Sequence, residues 1–258
     1  MLKFVNRYYS IFNMKTNQQF KNQALDALSG NWGKAVLLTL IFFILIGAFS
    51  GPVSYQSVKM QTYMTEHLGS NSSIYGMLSL MQDPEYMAIQ QSVNGTNGLF
   101  ILAYILLLAP LMVGYANAFR LLVAKGDNDM VPNAFHISFN HYWNKVWTML
   151  WMYILISLWS LLLIIPGIIK AFSYSMTPYI LEDNPELSAT EAIHRSRMMM
   201  KGHKFDLFWL YLSFIGWAFL CLLTLGIGYI WLYPYIQASE AAFYEEVKAD
   251  YELNGGLA

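Results

Sequence analysis

The stretch that decides the fold is "LWSLLLIIPGIIKAFSYSMTPYILEDN", residues 158–184. It is apolar enough for a membrane helix, yet it contains Lys170, Pro166 and Pro178. The whole apolar tract, residues 146–181, would form a helix of roughly 54 Å at 1.5 Å per residue. Because the hydrocarbon core of a bilayer is only about 30 Å thick, we expect this tract to double back.

The composition is typical of an integral membrane protein. Of 258 residues, 56% are hydrophobic and only 12% are charged, against about 25% charged in soluble domains. The net charge of -1 gives no bulk attraction for nucleic acid, so no nucleic-acid partner is expected. The single cysteine, Cys221, excludes an internal disulfide and a cysteine-based metal site. The N-terminal segment has no apolar h-region, so no cleaved signal peptide is expected.

The positions of the basic residues predict the topology. Lysine and arginine are frequent before residue 35, between Arg120 and Lys145, and between Arg195 and Lys204, whereas residues 57–98 contain only Lys59. By the positive-inside rule, the three basic regions are cytoplasmic. Both flanks of the tract at 146–181 then lie on the same side, which requires two crossings.

We therefore predict an all-α, polytopic integral membrane protein that forms a single domain over residues 1–258. Its six transmembrane helices would form three hairpins, with both termini cytoplasmic and the protein in the bacterial inner membrane. Outer turns are expected at Pro166 and Gly167 and at residues 224–228, where Gly and Pro favour breaks. The predicted spans are about 35–55, 99–121, 146–165, 167–182, 205–224 and 227–244, with an outer loop at 57–98.

Each hairpin is preceded by a short amphipathic segment, which makes a degenerate internal repeat. Helical spacing predicts that these segments lie at the cytoplasmic membrane surface. Ser188 and Glu191 form a capping box that would start the third one. The predicted apolar faces are Phe20, Ala24 and Leu28 in the first segment, Phe135 and Phe139 in the second, and Ala189, Ala192, Ile193 and Ser196 in the third.

A candidate polar cavity is formed by Lys170, Ser173, Ser175 and Glu240. Lys170 either extends its stem outward to the lipid headgroups or faces inward and pairs with Glu240, because charges inside a membrane usually need a partner. The two serines, close to Pro178, either permit tight helix packing or line a polar pathway, as broken helices do in transporters.

A second candidate site is the basic segment, residues 194–204. Its basic side chains either contact anionic headgroups or an acidic partner, at roughly 1 kcal/mol each, or act only as a topology signal. They are His194, Arg195, Arg197, Lys201, His203 and Lys204.

No catalytic motif, metal-ligand spacing or nucleotide-binding loop is found in the sequence. His194 and His203 are nine positions apart without a third ligand nearby. We therefore predict no catalytic residues, no metal and no cofactor, and expect that the protein is not an enzyme.

Two stretches resemble a known family: "ALSGNWGKAVLLTLI" at residues 27–41 and "PYILEDNPELSATEAIHRSRMMMKGHKFDLFWLYLSFIGWAFL" at 178–220. The more specific part is the pattern of Ser188, Glu191, Ala192, Ser196, Arg197, Met200, Gly202 and Phe208. The chain resembles an uncharacterised bacterial family of polytopic membrane proteins, domain of unknown function 975. It is also similar to the membrane domain that accompanies some glycerophosphodiester phosphodiesterases, whose catalytic domain has no counterpart here. The resemblance implies an inner-membrane location and brings no catalytic residues.

These observations predict a non-catalytic membrane interaction or homeostasis protein. Its expected partners are membrane lipids and, as an alternative, another membrane protein. The main alternative function is a transporter or efflux component for a small amphiphilic solute, with its pathway near Lys170 and Glu240. A third and more distant alternative is a membrane enzyme acting on lipid-linked substrates.

Overall fold

The structure, a computed structural model, describes residues 14–68 and 73–253, and every regular element in these ranges is helical. A π-helical turn, Tyr104–Leu108, separates two of the helices. In chain order the α-helices are α1 (Asn17–Leu28), α2 (Trp32–Leu68), α3 (Ile74–Met81), α4 (Pro84–Ala103), α5 (Ala109–Lys125), α6 (Met130–Phe139), α7 (Tyr142–Leu162), α8 (Ile164–Tyr174), α9 (Thr177–Asp183), α10 (Ala189–Met199), α11 (Lys204–Leu212), α12 (Ile215–Leu223) and α13 (Tyr229–Leu253).

The chain divides into two compact units. The large unit contains Met1–Ile41 and Ala109–Ala258, and the small unit is Phe42–Leu108. In the small unit, Tyr63, Leu80 and Ile89 form a local core, and the Tyr63 hydroxyl donates to Asp83 at 3.1 Å. Because this core orders the segment, most of the predicted loop at 57–98 is helical: α2 continues to Leu68, and α3 and α4 follow.

Within the described residues, three helices are long and apolar enough to cross a membrane: Ile105–Lys125, Tyr142–Leu162 and Lys204–Leu223. A fourth is counted if Asn17–Leu28 and Trp32–Ala48, which meet at 97°, are taken as one broken span. These three or four candidates are fewer than the six predicted spans. The predicted span at 167–182 is divided between α8 and α9, and the one at 227–244 starts two residues before α13 and otherwise lies in that helix.

The long apolar tract reverses direction at Leu163, whose backbone is extended between α7 and α8 (φ -158°, ψ 140°). After the reversal Gly167 lies against Ser160, so close that a Cβ atom on Gly167 would be 2.7 Å from the Ser160 Cα. The turn therefore precedes Pro166 and Gly167 instead of being formed by them. Pro166 falls in the first turn of α8, where backbone N–H groups have no helical acceptor and proline is tolerated.

A second change of direction lies between α12 and α13, at residues 224–228. Leu225 and Gly226 have positive φ angles, of 52° and 87°, and the Gly226 N–H donates to the Cys221 carbonyl at 2.9 Å. Beyond this turn, the rings of Phe214 and Tyr235 pack with centroids 5.0 Å apart, which places α13 beside the segment that precedes it.

Two of the three amphipathic helices bury the faces that their spacing predicts. Helix α1 starts with a capping box between Thr16 and Gln19, and α10 starts with the predicted box between Ser188 and Glu191. All the residues predicted for these two faces are buried: Phe20, Ala24 and Leu28 in α1, and Ala189, Ala192, Ile193 and Ser196 in α10.

The predicted apolar face of α6, Phe135 and Phe139, is not part of the protein core, and Phe135 is partly exposed. Phe139 is 55% exposed, whereas Ala134 and Ser138 are buried. The cause is Gly114 of α5: a Cβ atom there would lie 2.1 Å from the Ala134 carbonyl oxygen. Because Gly114 has no side chain, α5 approaches the small-residue face of α6, and the phenylalanine face turns outward.

Candidate functional site

The charges of the large unit meet at the end of α9, where Glu182 and Asp183 follow the apolar tract. Carboxylates at a helix C-terminus oppose the helix dipole and need nearby cations. The structure supplies these cations from several helices. Glu182 pairs with Lys145 of α7 at 2.8 Å, while Asp183 pairs with Arg120 of α5 and with Lys248 of α13.

Lys145 is the most deeply buried cation of this group, with 1% of its side chain exposed. Its ammonium also donates to the backbone carbonyl of Ile137. The neighbouring Asn144 donates to the carbonyls of Pro185 and Leu187, at 2.9 and 3.1 Å. The start of α7 is therefore fixed to the segment that follows α9, so both ends of the doubled tract lie together.

Asp183 accepts hydrogen bonds from three side chains. Its Oδ2 atom accepts from the Tyr244 hydroxyl and the Lys248 ammonium, both at 2.7 Å, and its Oδ1 atom accepts from Arg120. Burial alone would raise the pKa of the Asp183 carboxyl, but the bonds from Lys248, Tyr244 and Arg120 hold it below its ordinary value. Asp183 is therefore ionised at neutral pH and joins α5, α9 and α13.

Two residues of the basic segment are already engaged within the protein. Arg195 donates to the Asn184 side chain at 2.8 Å and lies over the Tyr251 ring. His203 is buried and faces Asp250 at 3.2 Å and Asp206 at 3.4 Å. Burial lowers the pKa of His203, but the two carboxylates outweigh it and raise the pKa above its ordinary value. These side chains fasten α10 and α11 to α13.

The remaining lysines and arginine of the segment, Arg197, Lys201 and Lys204, are here called the free cations. Arg197 and Lys201 are exposed and Lys204 is partly exposed. Within residues 14–68 and 73–253, no carboxylate lies within ion-pairing distance of any of them. Arg197 donates to the exposed His194 ring at 3.1 Å. Their charges are therefore available to an anion outside the described chain.

Lys170 and Glu240 do not come together. The Lys170 ammonium lies 4.4 Å from the centre of the Trp159 ring, and the charges of Arg197 and Lys204 act on it. The Glu240 carboxylate accepts instead from Gln237 at 3.3 Å and from the Tyr211 hydroxyl. Lys170 thus joins the free cations rather than a carboxylate inside the protein.

The two candidate cavity serines bond within their own helix. Ser173 donates to the Ile169 carbonyl at 2.7 Å and Ser175 to the Phe172 carbonyl at 3.0 Å, which is the usual local bonding of helical hydroxyls. Two surface clefts, of about 510 and 300 Å³, are lined by α1 with parts of α5 and α11. Neither cleft includes Lys170, Ser173, Ser175 or Glu240.

The acidic pair Glu182 and Asp183 was not among the residues predicted from the sequence. A usable signal was present, because the apolar tract has a lysine directly before it, Lys145, and acidic residues directly after it. Opposite charges at the two ends of a tract that doubles back are placed side by side. The partners Arg120 and Lys248 carry no comparable signal.

A family model described as "Protein of unknown function (DUF975)" matches residues 14–251, so the chain belongs to this family. No curated protein and no solved structure matches the chain.

Proposed function

We propose that this member of the DUF975 family is a non-catalytic integral membrane protein that binds anionic lipid headgroups of the cytoplasmic leaflet through its free cations. The observation that carries the proposal is the division of the basic segment. Arg195 and His203 bind partners within the protein, Asn184 and Asp250. The free cations Arg197, Lys201 and Lys204 have no described carboxylate partner. A topology signal alone does not require such a division, since it depends only on the number of positive charges.

The proposed arrangement in the membrane has six embedded segments in three hairpins, with both termini in the cytoplasm of a bacterial cell. It is supported by the reversal at Leu163 and by the contact between Lys145 and Glu182, which places both ends of the tract together. In this arrangement α10 lies at the cytoplasmic surface of the inner membrane, where anionic lipids attract basic side chains. We further propose that the chain shares the architecture of the membrane domain of some glycerophosphodiester phosphodiesterases, without their catalysis.

The side chains next to the free cations favour a lipid over an acidic protein partner. Phe205 and Trp209 of α11 are exposed, by 75% and 55%. Phe205 follows Lys204 directly, and Trp209 lies about one turn further along the helix. Large aromatic side chains beside lysine and arginine are typical of the membrane interface, where the ring enters the acyl region and the cation meets the headgroup.

The test compares stabilisation by two lipids. We expect phosphatidylglycerol to raise the unfolding temperature of the purified full chain in neutral detergent more than phosphatidylcholine does. The triple variant Arg197→Gln, Lys201→Gln, Lys204→Gln should lose most of this difference, since each basic side chain contributes about 1 kcal/mol near an anionic surface.

The matched control is Lys125→Gln, which removes an exposed lysine at the end of α5 and should leave the difference intact. The proposal is rejected if the triple variant keeps the full phosphatidylglycerol effect, or if wild type shows none.

A further inference from the structure

We propose that Lys170, Arg197 and Lys204 together form a binding site for the phosphate group of one anionic phospholipid, here called the three-cation site. This inference rests on the proposed function, because it names the ligand group and the position at which the headgroup is held. It differs from general surface attraction in requiring Lys170, which lies in the apolar tract and outside the basic segment.

The first step is the contact that joins α8 to α10. The Ser196 hydroxyl donates to the Ser173 backbone carbonyl at 3.0 Å, and this bond is buried. Arg197 follows Ser196 directly, and Lys170 precedes Ser173 by three residues, which is the spacing of neighbours on one helix face. The bond therefore places the backbone segments that carry Arg197 and Lys170 next to each other.

The second step is the packing of α8 on α11. The ring of Phe172 lies 6.0 Å from that of Phe208 and 6.2 Å from that of Tyr211. Lys204 begins α11 and precedes Phe208 by four residues, so it lies on the same face one turn away. Three helices thus each contribute one cation to this junction.

The charges at the junction of α8, α10 and α11 also indicate an anion site. The positive charges of Arg197 and Lys204 both act on the Lys170 ammonium, and no described carboxylate pairs with any of the three. Three like charges without a counter-ion repel one another. A phosphate group removes this repulsion and accepts charge-assisted hydrogen bonds from ammonium and guanidinium groups alike.

The surroundings indicate a phospholipid rather than free phosphate. The Lys170 ammonium lies over the Trp159 ring, and Trp159, Ile169 and Phe208 are all exposed apolar side chains. An anion site bordered by exposed apolar side chains suits a ligand that carries acyl chains beside its phosphate. The acyl chains then cover the apolar side chains, and both are removed from water. A soluble anion such as inorganic phosphate would interact only with the three cations and would gain nothing from the apolar side chains.

The experiment measures phosphatidylglycerol binding to the detergent-purified full chain by native mass spectrometry. We expect Lys170→Gln, Arg197→Gln and Lys204→Gln each to weaken binding about fivefold, the factor that corresponds to one basic contact. Lys170→Arg keeps the charge and should bind within about twofold of wild type, as should the control Lys125→Gln. Excess inorganic phosphate should not displace the lipid.

Each outcome has one meaning. Unchanged binding by Lys170→Gln, with wild type binding normally, overturns the three-cation site and leaves the proposed function standing. Displacement of the lipid by inorganic phosphate overturns the assignment to a phospholipid. Absence of phosphatidylglycerol binding by wild type overturns the proposed function itself. Equal unfolding temperatures of Lys170→Gln and Lys170→Arg show that the comparison is between folded proteins.

Discussion

The ammonium of Lys145 lies 2.8 Å from the carboxylate of Glu182, although the two residues are 37 positions apart in the chain. Most of the residues between them are apolar, so this ion pair closes a doubled tract at its polar end. The reversal at Leu163 brings the two ends of the tract together, and the pair between Lys145 and Glu182 holds them there.

Glu182→Gln should destabilise the fold, because it leaves the buried Lys145 ammonium without its counter-charge. Removing one partner of a buried pair costs about 3–5 kcal/mol. Glu182 is 22% exposed, so solvent screening reduces the expected loss to about 2 kcal/mol. Thermal unfolding in detergent measures it. The control Glu186→Gln, at an exposed loop position, should change the unfolding free energy by less than about 0.5 kcal/mol; equal effects of the two variants would show that the pair is unimportant.

Asp183→Asn should cost more, about 3 kcal/mol, because it leaves both Arg120 and Lys248 without their carboxylate. The comparison is Glu245→Gln, which removes a more distant and more exposed carboxylate, 3.8 Å from Arg120, and should cost at most about 1 kcal/mol. Chemical denaturation of both variants measures the difference. If Glu245→Gln were the more damaging change, Asp183 would not be the residue that joins these helices.

Gly114→Ala should separate α5 from α6. The added Cβ atom would lie 2.1 Å from the Ala134 carbonyl oxygen, and overpacking of this kind costs about 1–3 kcal/mol. Gly216→Ala is the matched control, because nothing lies within 4 Å of a Cβ atom there. Gly216 lies in the first turn of α12, where that change should stabilise by up to about 0.5 kcal/mol through helix propensity. Opposite signs are expected in thermal unfolding, and destabilisation by both variants would contradict the packing described.

His203 should make stability depend on pH. Despite its burial, which lowers the pKa, Asp206 and Asp250 raise the pKa of His203 above the ordinary 6.5. A raised pKa in the folded state stabilises the fold fully below the unfolded value, and this stabilisation is lost as pH rises through the folded-state pKa. As the pH rises above the ordinary histidine pKa of about 6.5, the unfolding temperature of wild type should therefore fall more steeply than that of His203→Asn. The control His141→Asn, at an exposed position, should keep the wild-type slope; a parallel slope for His203→Asn would refute the assignment.

Local sequence patterns predict the features that depend on neighbours along the chain. The buried faces of α1 and α10 follow from apolar spacing at three and four residues, and the Ser188 cap follows from its own side chain and that of Glu191. The length of the apolar tract indicates that it must reverse. Its turn lies three residues earlier than predicted, because Pro166 fits the first turn of a helix better than the reversal itself.

Features that depend on distant partners could not be predicted in this way. The outward position of Phe139 depends on Gly114 in another helix, and the choice of Glu182 for Lys145 depends on the register of α7 against α9. The same register separates Lys170 from Glu240, which sequence reasoning considered as a pair. For the basic segment, the sequence indicates the six side chains but does not show that Arg195 and His203 are engaged within the protein.

The most direct test of the doubled tract is cysteine labelling on its two flanks. His141 and Glu186 are both exposed and lie just outside the tract, and each is changed to Cys in a Cys221→Ser background. We expect both cysteines to be shielded from an impermeant maleimide in intact cells and labelled together after permeabilisation, as two crossings require. Labelling of one flank in intact cells while the other stays shielded would mean a single crossing and would contradict the account.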